Sequence, residues 1–134
     1  MQERRRHHRN AAMLKIKFRI VREGPKPEMS ELVEGDIRNL SMEGLAMETS
    51  VVEVDGLHVS YNEFPGPKNR IYLQWDLPGE KSIKAVGETI WYERVSGSKP
   101  LFAVGIRFVE ISKESSQLLK DYLDVSAGTG PMSI

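Results

Sequence analysis

The sequence predicts an all-β fold: six or more antiparallel strands rolled into a small closed or nearly closed barrel, followed by one C-terminal helix. Three observations carry this. Apolar residues recur with period two through most of the chain, and the breaks between these runs are rich in Gly, Pro, Asn and Asp. Helical spacing of apolar residues occurs convincingly once, after Ser112. Strands do not alternate with helices, which argues against a doubly wound nucleotide-binding sheet. Closure into a barrel is the natural outcome, because it removes exposed strand edges.

The elements follow in order. Leu14, Ile16, Phe18 and Ile20 alternate with Lys15, Lys17 and Arg19, so the first strand is half-buried with one basic face. Gly24-Pro25-Lys26-Pro27 ends it, since proline removes ladder donors and restricts the residue before it. A second short strand covers about residues 32–40. Asn39-Leu40-Ser41-Met42-Glu43-Gly44 reads as a turn, and Leu45 and Met47 begin a third strand. Val52 and Val54, then Asp55-Gly56, then Leu57 and Val59 form a hairpin signature of type I′. Phe64-Pro65-Gly66-Pro67 breaks the chain. Ile71, Leu73, Trp75 and Leu77 alternate with polar residues, Pro78-Gly79-Glu80-Lys81 turns the chain, and residues 82–92 return. Gly87 in that return strand marks a bulge or bend. Residues 101–109 place Phe102, Val104, Ile106 and Phe108 on one face. Ser112 can cap the helix, Glu114 suits its first turn, and Leu118, Leu119, Tyr122 and Leu123 form its apolar stripe.

The expected organisation is a basic arm over residues 1–12, a barrel with its helix over 13–124, and a flexible tail over 125–134. The chain has 134 residues, 40% of them hydrophobic and 28% charged, enough for one ordinary core. It has no cysteine, which excludes a disulfide scaffold, a zinc finger and a thiol nucleophile. No metal site is expected from three histidines. No apolar run approaches the roughly 20 residues of a membrane-spanning helix, and no secretory signal stands at the N-terminus, so the expectation is a soluble and most simply cytoplasmic protein. The formal net charge of zero hides an asymmetry: residues 1–22 carry eight basic side chains and one acid, net +7, and the remaining residues carry −7. Such an arm suits an anionic partner; the alternatives are a solvated tail or pairing with the acidic body.

Nothing points to catalysis. Ser41 lacks a G-x-S-x-G context and reads as a turn serine. His7 and His8 are adjacent and would face opposite ways on a strand, and His58 has no recognisable partner. The carboxylates sit on polar strand faces without an apolar setting to raise a catalytic pKa. The expectation is a binding protein and not an enzyme.

Two patterns remain. Arg5 and Arg9 form RxxxR, and Asn39, Ser41 and Gly44 form NxSxxG, with Arg9 and Asn39 thirty positions apart. In this order they resemble the PilZ domain, the bacterial receptor module for cyclic di-GMP, whose pattern is RxxxR followed by [D/N]xSxxG. Ala85-Val86-Gly87-Glu88-Thr89-Ile90-Trp91 is similar to the family's small-residue strand ending in an aromatic. Val104-Gly105-Ile106-Arg107-Phe108 resembles its G-[VI]-x-F strand. The resemblance spans about residues 4–123. It implies a six-stranded antiparallel barrel with a C-terminal helix, no cofactor, and cyclic di-GMP as the ligand of Arg5, Arg9, Asn39, Ser41 and Gly44. Arg4, Arg6 and Trp91 are further candidate contacts. It also implies an unidentified downstream protein and an output such as motility or exopolysaccharide control. Two departures stand out: Asn39 replaces the aspartate of many members, and residues 51–70 are longer than the usual connection, an inserted hairpin that would modify one rim.

The chemistry of these residues suits that ligand. A guanidinium fork matches guanine O6 and N7, binds phosphate, or stacks on a purine. Asn39 and Ser41, two positions apart on a strand end, face one side and offer oxygens to guanine N–H groups. Gly44 lets backbone pass close to the ligand or takes a positive φ. Trp91 offers a stacking surface, or else is a plain barrel-surface or core aromatic. The arm has no large apolar side chain beyond Met1 in residues 1–10, so mobility without ligand and folding with it are expected. Two other readings stay open: an adaptor that keeps the fold and binds only protein, and a nucleic-acid-binding barrel. The acidic body and the few aromatics weigh against the second.

Overall fold

The computed structural model describes residues 14–95 and 97–126. Along them run β1 (Leu14–Arg22), β2 (Glu28–Met29), β3 (Val33–Leu40), β4 (Gly44–Thr49), β5 (Glu53–Val54), β6 (Leu57–His58), β7 (Arg70–Leu77), β8 (Lys81–Arg94), β9 (Phe102–Ile111) and α1 (Lys113–Ser126). All pairings are antiparallel, in the order β2-β1-β3-β4-β9-β8-β7, and a further β1–β7 pairing closes the ring. Six strands therefore make a closed barrel. The short β2, which the proline-rich break concealed in the sequence, extends β1 through Val21↔Met29 and Arg22↔Glu28.

Alternation fills the interior. Ile16, Phe18 and Ile20 of β1, Ile71, Leu73, Trp75 and Leu77 of β7, Ile83 and Ala85 of β8, and Val104 and Ile106 of β9 are all buried. Trp75 lies nearly parallel to Phe108 across the interior, with ring centroids 6.1 Å apart. The return strand β8 outruns its expected span at both ends: its pairing with β7 starts already at Leu77↔Lys81, and its pairing with β9 continues to Arg94↔Phe102 after β7 has stopped.

Three bulges interrupt the regular register. Arg38 is extra in β3, Ile90 in β8, and Val109 in β9. The last lies opposite Gly87, where a bend was expected. A Cβ on Gly87 would run into Ile106 Cγ2 and lie 2.9 Å from the Arg107 carbonyl oxygen, so only glycine permits that approach.

The Asp55-Gly56 hairpin forms, with φ of 54° and 81° at its two central residues, the positive pair a type I′ turn requires. It does more than modify a rim. Val54, Leu57 and Val59 are buried within the main core, and the Thr89 hydroxyl of β8 donates to the Val59 carbonyl at 2.9 Å. Helix α1 meets the same strand five residues earlier. There the Lys84 N–H donates to Ser115 Oγ at 3.3 Å, and Leu119 and Leu123 are buried. The Ser112 hydroxyl accepts from the Ser115 N–H at 3.0 Å, the expected N-cap, and the helix runs on to Ser126. Among the described residues, no helix is long and apolar enough to cross a membrane, and no group of three or more His, Asp or Glu could hold a metal ion.

Candidate functional site

The site lies on the outer wall of the barrel, across β3, β4, β9 and β8. Register places four residues in one cross-strand row: Asn39 pairs with Ala46, Ala46 with Gly105, and Gly105 with Trp91. Neighbouring strands are about 4.8 Å apart, so the backbones at Asn39 and Trp91 stand roughly 14 Å apart, with a floor between them. That floor is low because its middle residues are Ala46 and Gly105. The result is an open cleft of about 320 Å³ whose lining includes Asn39, Ser41, Gly44, Trp91 and Arg107.

Two bulges create this face. In β3, Gly35 and Ile37 are buried, so simple alternation would bury residue 39 as well. The extra Arg38 shifts the phase, Leu40 turns inward, and Asn39 turns out. In β8, Ile83, Ala85, Gly87 and Thr89 are buried, and the next residue in phase is 91. The extra Ile90 puts Trp91 on the outside instead, 45% exposed. Its indole rests on Gly105, where any Cβ would overlap the ring.

The turn between β3 and β4 is held by its own atoms. The Ser41 N–H donates to the Gly44 carbonyl at 2.9 Å, and the Ser41 hydroxyl donates to the same oxygen at 3.2 Å. The Glu43 N–H donates to Ser41 Oγ at 3.2 Å, and the Phe108 N–H ties the Glu43 carbonyl to β9 at 2.8 Å. Ser41 thus shapes the turn first, with one lone pair left to offer. Gly44 has no positive φ. It is glycine because a Cβ would collide with the Ile106 carbonyl oxygen and lie 3.1 Å from Arg107 Cα. By contrast the Asn39 carboxamide has no hydrogen-bonding partner among the described residues, and it faces the cleft.

Arg4, Arg5, Arg6 and Arg9 lie outside the described residues. Four of the sequence-selected positions, 39, 41, 44 and 91, do come together. Arg107 and the Ala46–Gly105 floor were not selected. A signal existed: with Val104, Ile106 and Phe108 inward, alternation sends Gly105 and Arg107 outward together. Arg107 pairs with Glu88 across β9–β8, and its guanidinium forms an ion pair with that carboxylate. Glu88 also receives Arg70 at 3.5 Å, and Arg70 reaches Glu23 at 3.6 Å.

The closed antiparallel barrel with its C-terminal helix, an open cleft on the wall and a polar turn at the cleft's end define a small single-barrel domain. The PilZ domain family model matches residues 3–124, and the chain belongs to that family. Among solved structures, it is similar to the PilZ domain with c-di-GMP of YcgR from Escherichia coli. The TM-score is 0.53 and the identity 10%, over 90% of this chain and 94% of that one. The Borreliella burgdorferi PlzA protein in complex with c-di-GMP gives a TM-score of 0.48 and 16% identity, over 97% of this chain and 51% of that one. The PilZ domain of CeSA from a cellulose-synthesizing bacterium gives 0.45 and 16%, over 90% and 96%. No curated protein matches this chain.

Proposed function

We propose that this protein is a cyclic di-GMP receptor that binds the dinucleotide in the cleft between Asn39 and Trp91 and performs no catalysis. The observation that carries the reading is the row Asn39–Ala46–Gly105–Trp91: a hydrogen-bonding edge at Asn39, the small methyl of Ala46 and an indole laid over Gly105. A guanine seated there stacks against the indole and presents N1–H and N2–H₂ toward Asn39. Membership of the PilZ family and the NxSxxG pattern at the turn support the same ligand.

Arg5 and Arg9 supply the other half of the grip. Leu14, the first residue of β1, lies opposite Ile37, two residues before Asn39. The chain can span at most about 18 Å from Leu14 to Arg9 and about 32 Å from Leu14 to Arg5, long enough for both arginines to reach the cleft. Ligand binding folds this arm across the turn, and the changed surface is the signal offered to a partner protein. The coupling is reciprocal, so a partner that holds the folded arm tightens ligand binding.

Calorimetry of the purified chain with cyclic di-GMP tests the ligand; absence of heat at micromolar concentrations leaves the protein-binding adaptor in its place. Amide exchange of residues 4–12 with and without ligand tests the switch. Protection without ligand, or none at saturation, rules it out.

A further inference from the structure

We propose that Arg107 is the barrel's own contact to a phosphate of the ligand, aimed by Glu88, with Arg70 fixing Glu88 in turn. The inference rests on the cyclic di-GMP reading and adds a residue outside both sequence motifs.

Arg107 stands on the cleft wall, two residues along β9 from the floor residue Gly105 and directly opposite Gly44. Among the described residues lining the cleft it is the one basic side chain, and Glu43 is the one acidic side chain. A ligand with two phosphodiester anions entering there needs a counter-charge on the barrel itself. The Arg107 side chain is 56% exposed, and its contact with Glu88 runs through a single nitrogen, Nη2. Of five N–H donors, most remain free for phosphate oxygens.

Glu88 is placed to aim this group without competing for it. Its side chain is 17% exposed, and each oxygen has its own guanidinium: Oε2 takes Arg107, and Oε1 takes Arg70 at 3.5 Å. Arg70 is anchored again by Glu23 at 3.6 Å. The four side chains alternate in sign and sum to zero charge, so Glu88 stays compensated when Arg107 also serves a phosphate. An exposed arginine on a free rotor loses much conformational freedom on binding, and the pairing with a nearly buried carboxylate removes that loss in advance.

Calorimetry with cyclic di-GMP on five proteins provides the test: wild type, Arg107→Met, Arg107→Lys, Glu88→Gln and the Arg107→Met/Glu88→Gln double variant, each checked by thermal melting. Arg107→Met is expected to weaken binding at least tenfold at unchanged melting temperature. Arg107→Lys should stay within about threefold of wild type, because a phosphate accepts a point charge where a guanine edge demands a fork. Glu88→Gln should weaken binding several-fold alone and add nothing in the Arg107→Met background. Wild-type affinity in Arg107→Met overturns the proposal while leaving the receptor reading intact. A Lys variant as weak as Met shows a guanine contact and also overturns it, and an undiminished Glu88→Gln effect in the double variant removes Glu88's aiming role. A wild-type chain that does not bind cyclic di-GMP at all overturns the receptor reading and this inference together.

Discussion

Asn39 and Trp91 stand at opposite ends of one cross-strand row, and each faces outward only because a single extra residue, Arg38 or Ile90, precedes it. Without those bulges both side chains would be in phase with the core. The cleft is thus a product of register, and its two walls come from strands that are not paired with each other.

Trp91→Ala is expected to weaken cyclic di-GMP binding by about 1–3 kcal/mol, the usual worth of stacking one base on an aromatic. The melting temperature should hardly move, since the side chain is 45% exposed. Gly105→Ala should cost a similar amount of affinity by pushing the indole off its seat, and the double variant should bind no worse than Trp91→Ala. A titration series over the three proteins measures this.

Asn39→Asp should bind as well as wild type or better, because a carboxylate offers two charged acceptors to the guanine N–H groups. A clear loss would show that the Asn39 amide donates instead, to O6. Alongside it, Arg9→Ala should abolish tight binding, and Arg9→Lys should recover little of it. The missing planar contact is worth on the order of 1–3 kcal/mol.

Leu57→Ala tests whether the inserted hairpin belongs to the core. Leu57 is 2% exposed within the main cluster. Its truncation should cost about 2–5 kcal/mol in urea unfolding, the range for buried leucines. A hairpin that merely decorates the rim would give less than 1 kcal/mol, the scale of a surface change.

His58 makes stability depend on acidity. Burial holds its pKa below 6.5, against the opposing pull of Glu53, and its Nδ1 accepts the Ser60 N–H at 3.0 Å, a role a protonated ring nitrogen cannot keep. The unfolded chain therefore binds a proton more readily than the folded one. Stability is full above pH 6.5 and falls as the pH drops from there through the lower folded-state pKa. Urea melts between pH 7.5 and 5 should show that decline, and His58→Asn should flatten it.

Much of the fold was legible in the sequence because alternation and turn chemistry are local. The apolar periods at 14–20, 71–77 and 102–108, the Asp55-Gly56 turn and the Ser112 cap each needed only a few neighbouring residues to be read. The NxSxxG pattern at 39–44 was legible for the same reason, and so was the family resemblance. Tertiary structure decided the rest. Which strands meet, and in what register, depends on contacts between residues far apart in the chain, and a bulge is a mismatch between two strands that neither sequence reveals alone. So Arg38 and Ile90, unremarkable as letters, turn Asn39 and Trp91 outward. Gly105 becomes the seat of an indole fourteen positions away, and Arg107 joins a chain of charges running through Glu88 and Arg70 to Glu23. By itself the sequence determined the main elements apart from the short β2, their order and the residue types that meet at the cleft. Only closure of the barrel, which brings distant strands within hydrogen-bonding distance, decided which side chains share a face.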